Sequence, residues 1–291
     1  MKSKKTFAFL ISIGTFIILV FLNTGCSLIS TTRTKNLVYR DSTAQFPAQK
    51  LDVYKRMFSK KPKPVFIFIH GGNWNSGRKE QYNIIARNLA AKGIITVIID
   101  YPLSPSANYK EMAQMSAIAT KWTYDNISQY HGDPNRLFIS GHSAGGHLAS
   151  LITVDNSYFE ELGLINPIKG AFLIDPAGLD MYDYLKKRTL KPNHTYSKTF
   201  TTNENSWKDA STIAHLHDNM PPIVILRGAR TYESISTSNE VFMKEVQAYA
   251  PDTRYIIQKR KKHIPMILQF FNPWNKNFRV LKKFIRENSN E

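Results

Sequence analysis

The chain has 291 residues, 42% of them apolar, enough to bury a full core within one large domain. Lys and Arg total 39 against 22 Asp and Glu, a net charge of +17, yet the charge is spread from end to end, with no zinc-ligand series, RNA-recognition signature or concentrated basic helix to organise it. Nucleic acid is therefore not expected as a partner, anionic lipid suits the charge better, and a single cysteine excludes an internal disulfide.

The N-terminus reads as an export signal over residues 1–25: Lys2, Lys4 and Lys5 form a positive start, and Phe7 to Leu22 is almost wholly apolar. That run is short for a bilayer span, which needs roughly 20 residues. Thr24-Gly25-Cys26 resembles the end of a bacterial lipobox, with Asn23 where leucine is usual, so Cys26 is the candidate for lipidation. The expected location is the cell-envelope membrane, held by that lipid or by an uncleaved anchor. Residues 26–35 are polar and without pattern, as suits a tether, and the domain is expected over 36–291.

Asn36 to Arg40 and Lys50 to Tyr54 are short and β-prone and suggest an opening antiparallel pair. The rhythm then changes. Val65 to Ile69, Ile94 to Ile99, Arg136 to Ser140, Ala171 to Ile174, Ile223 to Leu226 and Tyr255 to Ile257 are continuous apolar runs, as expected of strands buried on both faces. Helical stretches lie between them at Glu80 to Lys92, Lys110 to Tyr130, Gly145 to Thr153 and Asn239 to Ala250. The alternation predicts an α/β fold with a mostly parallel sheet and helices on both faces, whose chemistry gathers at the carboxyl ends of strands. Residues 179–219 are irregular and aromatic, with Tyr182, Tyr184, Tyr196, Phe200 and Trp207, and read as a cap insertion, either substrate wall or surface packing.

The sharpest signal is Arg136 to Leu151, RLFISGHSAGGHLASL, in which a buried strand meets Gly141-His142-Ser143-Ala144-Gly145 and a helix begins at once. A serine on so tight a turn needs small neighbours, and the turn lifts its hydroxyl clear of the sheet. Ser143 is the candidate nucleophile. Upstream, His70-Gly71-Gly72-Asn73-Trp74 follows a strand, and its glycines let backbone N–H groups approach a developing oxyanion. Gly71, Gly72 and Asn73 are candidate donors from this loop, and Ala144 from the residue after the serine. His70 reads as a brace, and Trp74 as pocket wall or core. The base must come late, after the last strand. His263 is so placed, whereas His131, His142, His147, His194, His215 and His217 read as packing or surface histidines.

With these residues in hand, the chain resembles the α/β-hydrolase esterases that carry an HGG-x-W loop and a GHSAGG elbow, a group spanning hormone-sensitive-lipase-like carboxylesterases, kynurenine-formamidase-like hydrolases and esterases of plant polysaccharide. The matching stretches are Asp52 to Tyr54, His70 to Trp74, Asp100 to Pro105, Asp133 to Ala149 and the late His263. The resemblance implies the α/β-hydrolase fold and hydrolysis of a small ester through an acyl-enzyme, without metal or organic cofactor. Relatives usually place the third triad member, an aspartate, three residues after the glycine that ends the seventh strand. Here Gly228 leads to Thr231. Asp175, in a segment resembling the acid-bearing DPAG turn of pancreatic-type lipases, is preferred; Glu233 comes next, and Asp180 or no acid stays open. An arylformamidase-type amidase, a catalytically silent binding module and a lipid-binding basic face are the alternative readings.

Overall fold

The computed structural model describes residues 30–58 and 61–289. The export segment, Cys26 and the first part of the expected tether lie outside those residues.

Eight strands form one sheet in the order β1-β2-β4-β3-β5-β6-β7-β8: β1 (Thr31–Arg40), β2 (Gln49–Arg56), β3 (Lys63–Ile69), β4 (Ile95–Ile99), β5 (Gly132–His142), β6 (Ile168–Ile174), β7 (Ile223–Gly228) and β8 (Arg254–Gln258). From β4 to β8 every pairing is parallel, with registers such as Ile67↔Ile139 and Leu173↔Ile225. Only β2 joins its neighbours β1 and β4 antiparallel. The helices are α1 (Asn83–Ala91), α2 (Tyr109–Asn126), α3 (Ala144–Val154), α4 (Ser157–Glu160), α5 (Met181–Lys186), α6 (Thr195–Phe200), α7 (Glu204–Asp209), α8 (Glu233–Val246), α9 (His263–Leu268) and α10 (Asn277–Glu287).

The continuous apolar runs have their expected cause. Val65, Ile67 and Ile69 of β3 pack into a core with α2, α3 and α8, while Phe66 and Phe68 of the same strand face α1, α9 and α10. The strands of these runs, β3 to β8, thus feed two cores with a period of two, and their inner faces leave little place for polar alternation.

Two of the boundaries that differ from expectation have a plain physical cause. Residues 31–35 are not tether but the first half of β1, paired from Thr31↔Arg56 onward. As an edge strand it shows much of its side-chain surface to water, so its composition looks like linker while its backbone is fully engaged. Arg33 anchors it through a hydrogen-bonded ion pair to Asp52, which is wholly buried. Helix α8 starts at Glu233, six residues before the expected Asn239, because Ser234, Ser236, Thr237 and Ser238 are poor helix formers that obscure the periodicity.

Candidate active site

The carboxyl ends of β3, β5, β6 and β7 meet at one edge of the sheet, and every sequence-derived candidate for the chemistry except Glu233 and Asp180 lies there. Ser143 sits between β5 and α3 with φ 57° and ψ −121°, a conformation side-chain-bearing residues rarely adopt. The surroundings hold it there: its N–H donates to the Ile174 carbonyl at 3.2 Å, and its carbonyl accepts from Ala177 N–H at 3.1 Å. The turn closes against β3 so tightly that a Cβ on Gly145 would lie 2.2 Å from the Ile69 carbonyl oxygen.

His263 opens α9 and is 8% exposed. Its Nε2 stands 2.9 Å from Ser143 Oγ, and its Nδ1 stands 2.6 Å from Oδ2 of Asp175. Asp175, at the end of β6, is fully buried, and Gly228 N–H donates to its Oδ1 at 2.8 Å. A carboxylate can only accept, so Nδ1 carries the proton and Nε2 presents its lone pair to the serine hydroxyl. Asp175 is thus the carboxylate on this histidine. Glu233 is exposed at the start of α8 and faces a separate groove with Asp180 and Asp183; Asp180 itself caps α5 by accepting from Asp183 N–H. The hydroxyl of Thr231, at the position where an acid was expected, donates to Oδ2 of Asp175. The sequence shows only the missing carboxylate at this position, because the partner of Thr231 lies 56 residues away.

The glycine loop is built for close approach. Gly72 has φ 135°, and a Cβ there would fall 2.0 Å from the Ser76 carbonyl oxygen. Asn73 and Trp74 follow at φ 52° and 59°, strained values for residues with side chains. Trp74, 2% exposed, holds the loop: its indole N–H donates to His147 Nδ1 at 3.2 Å, and its ring meets Phe200 edge-on at 5.0 Å. One candidate donor is corrected. Gly71 N–H is already given to the Tyr82 hydroxyl at 3.1 Å, so it supports the loop instead of facing a ligand. Gly72 and Asn73 remain from the loop. Ala144, the first residue of α3, supplies an amide with no partner inside its helix.

The neighbouring histidines are packing groups, as expected. His70 donates from Nδ1 to the Gly71 carbonyl at 2.9 Å and stacks on Tyr101 at 4.3 Å. His142 stacks on His263 at 4.5 Å and donates to its carbonyl at 3.3 Å; burial, and then the neighbouring His263, pull its pKa down to about 3. His147 is held down to about 4 by burial.

These groups open on a cleft of about 790 Å³ whose lining includes Ser143, His263, Gly72 and Asn73, with Tyr184 and Tyr196 from the 179–219 segment and the exposed Tyr232, Ile264 and Leu268. Among the described residues no group of three or more His, Cys, Asp or Glu is placed to hold a metal ion.

The BD-FAE family model matches residues 51–243, which contain the elbow, the glycine loop and Asp175. The chain belongs to the BD-FAE family. This BD-FAE member is 26% identical over 254 residues to the isoprenylcysteine alpha-carbonyl methylesterase of Arabidopsis thaliana, covering 81% of this chain and 57% of that protein. It is 32% identical over 140 residues to the kynurenine formamidase of Salmo salar, covering 47% and 43%. The chain therefore spans about half the length of these curated relatives. Among solved structures, a truncated carbohydrate esterase from gut microbiota superposes with a TM-score of 0.75 at 19% identity over 89% of this chain and 97% of that one, so the fold is shared.

Proposed function

We propose that this BD-FAE member is a serine hydrolase that cleaves carboxylic esters through an acyl-enzyme. The observation that carries the reading is the hydrogen-bonded line from Ser143 Oγ through His263 to Asp175, at 2.9 and 2.6 Å, opening on a cleft beside the Gly72–Asn73 loop. The esterases among its relatives and structural neighbours support the same class.

In this mechanism Ser143 Oγ attacks the ester carbonyl carbon while its proton passes to His263 Nε2. Negative charge moves onto the carbonyl oxygen, where the amides of Gly72, Asn73 and Ala144 receive it at the positive end of α3. The imidazolium returns its proton to the departing alcohol oxygen, leaving an acyl-serine. Water then attacks that carbonyl, its proton going to Nε2, and the carboxylic acid departs as Ser143 recovers its hydrogen. Asp175 holds the ring in the tautomer with Nδ1 protonated and offsets the imidazolium charge. The main support for a catalytically silent module is the missing acid at Thr231, and Asp175, on His263 Nδ1 at 2.6 Å, supplies a carboxylate from another strand.

The test is hydrolysis of p-nitrophenyl acetate by the full-length protein in detergent, with fluorophosphonate labelling alongside. Wild type should turn over and label, and Ser143→Ala should do neither. A folded wild type that does not label, or a Ser143→Ala protein with normal turnover, would sink the proposal.

A cell-envelope location, with a lipid on Cys26, is proposed alongside. Its support is the basic start, the apolar run and Thr24-Gly25-Cys26 in the sequence. Incorporation of labelled palmitate in a bacterial host, lost in Cys26→Ser, is the expected result; equal incorporation in both would refute it.

A further inference from the structure

The buried carboxylate of Asp175 has three donors, and they are not equivalent. Gly228 N–H occupies Oδ1 at 2.8 Å, while His263 Nδ1, at 2.6 Å, and the Thr231 hydroxyl both use Oδ2. Gly228 and Thr231 belong to one turn, since Gly228 ends β7 and Thr231 N–H returns to its carbonyl at 3.3 Å. The two hold opposite oxygens, so the carboxylate plane is set from the β7 side before the histidine is considered. Asp175 gains from that outside support, because its backbone stands at φ 47°, just past the end of β6, where its N–H bonds the Leu226 carbonyl at 2.7 Å.

We infer that Thr231 is a positioning residue for the proposed reaction, its hydroxyl holding Oδ2 of Asp175 on His263. The inference rests on the serine-hydrolase reading. The β7 turn, which usually presents the acid itself, here presents a donor that aims an acid carried by β6. Without the hydroxyl, the carboxylate keeps the Gly228 amide and the imidazole but loses the contact that stops it swinging about its Cβ–Cγ bond. The histidine's orientation then slackens, which affects the chemical step and not substrate affinity.

The experiment compares wild type, Thr231→Val, Thr231→Ser, Asp175→Asn and the double variant Asp175→Asn/Thr231→Val, all full-length in detergent, by steady-state hydrolysis of p-nitrophenyl acetate and by thermal melting. Valine keeps the shape and removes the donor. The expected result is a kcat about tenfold below wild type with KM within about twofold, restoration by serine to within about threefold, and no further loss when valine is added to Asp175→Asn. Thr231→Val with a wild-type kcat would overturn the inference. So would a serine variant no better than valine, a loss confined to KM, or an equal loss from valine with and without Asp175. A wild type that neither turns over nor labels sinks the serine-hydrolase reading itself, and this inference with it; an active wild type with an indifferent Thr231 sinks the inference alone.

Discussion

Trp74 and His147 share a hydrogen bond that ties the glycine loop after β3 to the rest of the fold. The indole N–H donates to Nδ1 at 3.2 Å, and the opposite ring nitrogen donates to the Ala210 carbonyl at 2.7 Å, so the imidazole is a neutral bridge of defined tautomer between the loop after β3 and the 179–219 segment. Phe200 of that segment packs edge-on to both rings, at 5.0 and 5.8 Å. The segment therefore acts on the site in two ways, through Tyr184 and Tyr196 in the cleft wall and through the support it gives the strained backbone at Asn73 and Trp74.

Replacing that bridge tests its role. His147→Phe keeps an aromatic of similar size but leaves the Trp74 N–H and the Ala210 carbonyl unpartnered in the core, each at about 1–3 kcal/mol. The midpoint of urea unfolding should fall accordingly. Because the loop carrying Gly72 and Asn73 loosens, kcat should drop at least tenfold with little change in KM. A variant as stable and active as wild type would show that the loop keeps its shape unaided.

Buried neutral histidines also set the acid limit of stability. Burial lowers the folded pKa of His147 to about 4 and, with His263 nearby, that of His142 to about 3, against an ordinary value near 6.5. The unfolded chain takes up protons first. Stability is thus fully present above about pH 6.5 and is lost as the pH falls toward the folded values, by about 1.4 kcal/mol per pH unit for each histidine. Urea midpoints measured from pH 7 to pH 4 should fall steeply, and His147→Phe should flatten the curve by about one proton. A wild-type midpoint constant down to pH 4.5 would contradict this.

The elbow leaves no room for a methyl group at Gly145. The added Cβ would meet the carbonyl oxygens of Ile69 and His70 at 2.2 and 2.4 Å, both backbone atoms at the end of the strand that carries the glycine loop. Gly145→Ala must therefore move the serine turn away from that loop. A displacement near 1 Å at such a site costs about a hundredfold in rate, so kcat should fall by that order while the far-ultraviolet circular dichroism stays native. Full activity in this variant would mean that the gap between elbow and loop is wider than the structure places it.

What could be read from the sequence was mostly what depends on near neighbours in the chain. The VFIFI run of β3 announced a strand covered on both faces, and the glycines around Ser143 announced a strand-to-helix turn, because both demands fall on adjacent residues. The acid was legible only as a preference. Choosing Asp175 over Glu233 depends on the pairing of β6 with β7, which draws Asp175 N–H onto Leu226 and brings the carboxylate to a histidine 88 positions away. Gly71 differs from expectation for a similar reason, since its amide is taken by Tyr82 from the turn before α1. The start of β1 passed for tether because an edge strand facing water needs no apolar alternation, and its anchor, Arg33 on buried Asp52, links two stretches 19 residues apart.

The two candidate acids separate sharply under substitution. Asp175→Asn keeps the shape but lets Nδ1 face an amide, so the imidazole loses its fixed tautomer; a loss of about 10³- to 10⁴-fold in kcat is expected. Glu233→Gln, exposed and facing another groove, should stay within twofold of wild type. The stronger test returns the acid to β7. Because the Thr231 hydroxyl shares Oδ2 of Asp175 with His263 Nδ1, a carboxylate on residue 231 begins one bond from the space the histidine faces. In Asp175→Asn/Thr231→Asp the asparagine can still accept from Gly228 N–H through its oxygen and can donate through its nitrogen to the new carboxylate. That double variant should recover at least tenfold over Asp175→Asn alone in hydrolysis of p-nitrophenyl acetate. Recovery would mean that strands β6 and β7 offer interchangeable seats for one charge beside His263. A folded double variant no faster than Asp175→Asn would mean that the β7 turn can steady an acid here but cannot carry one.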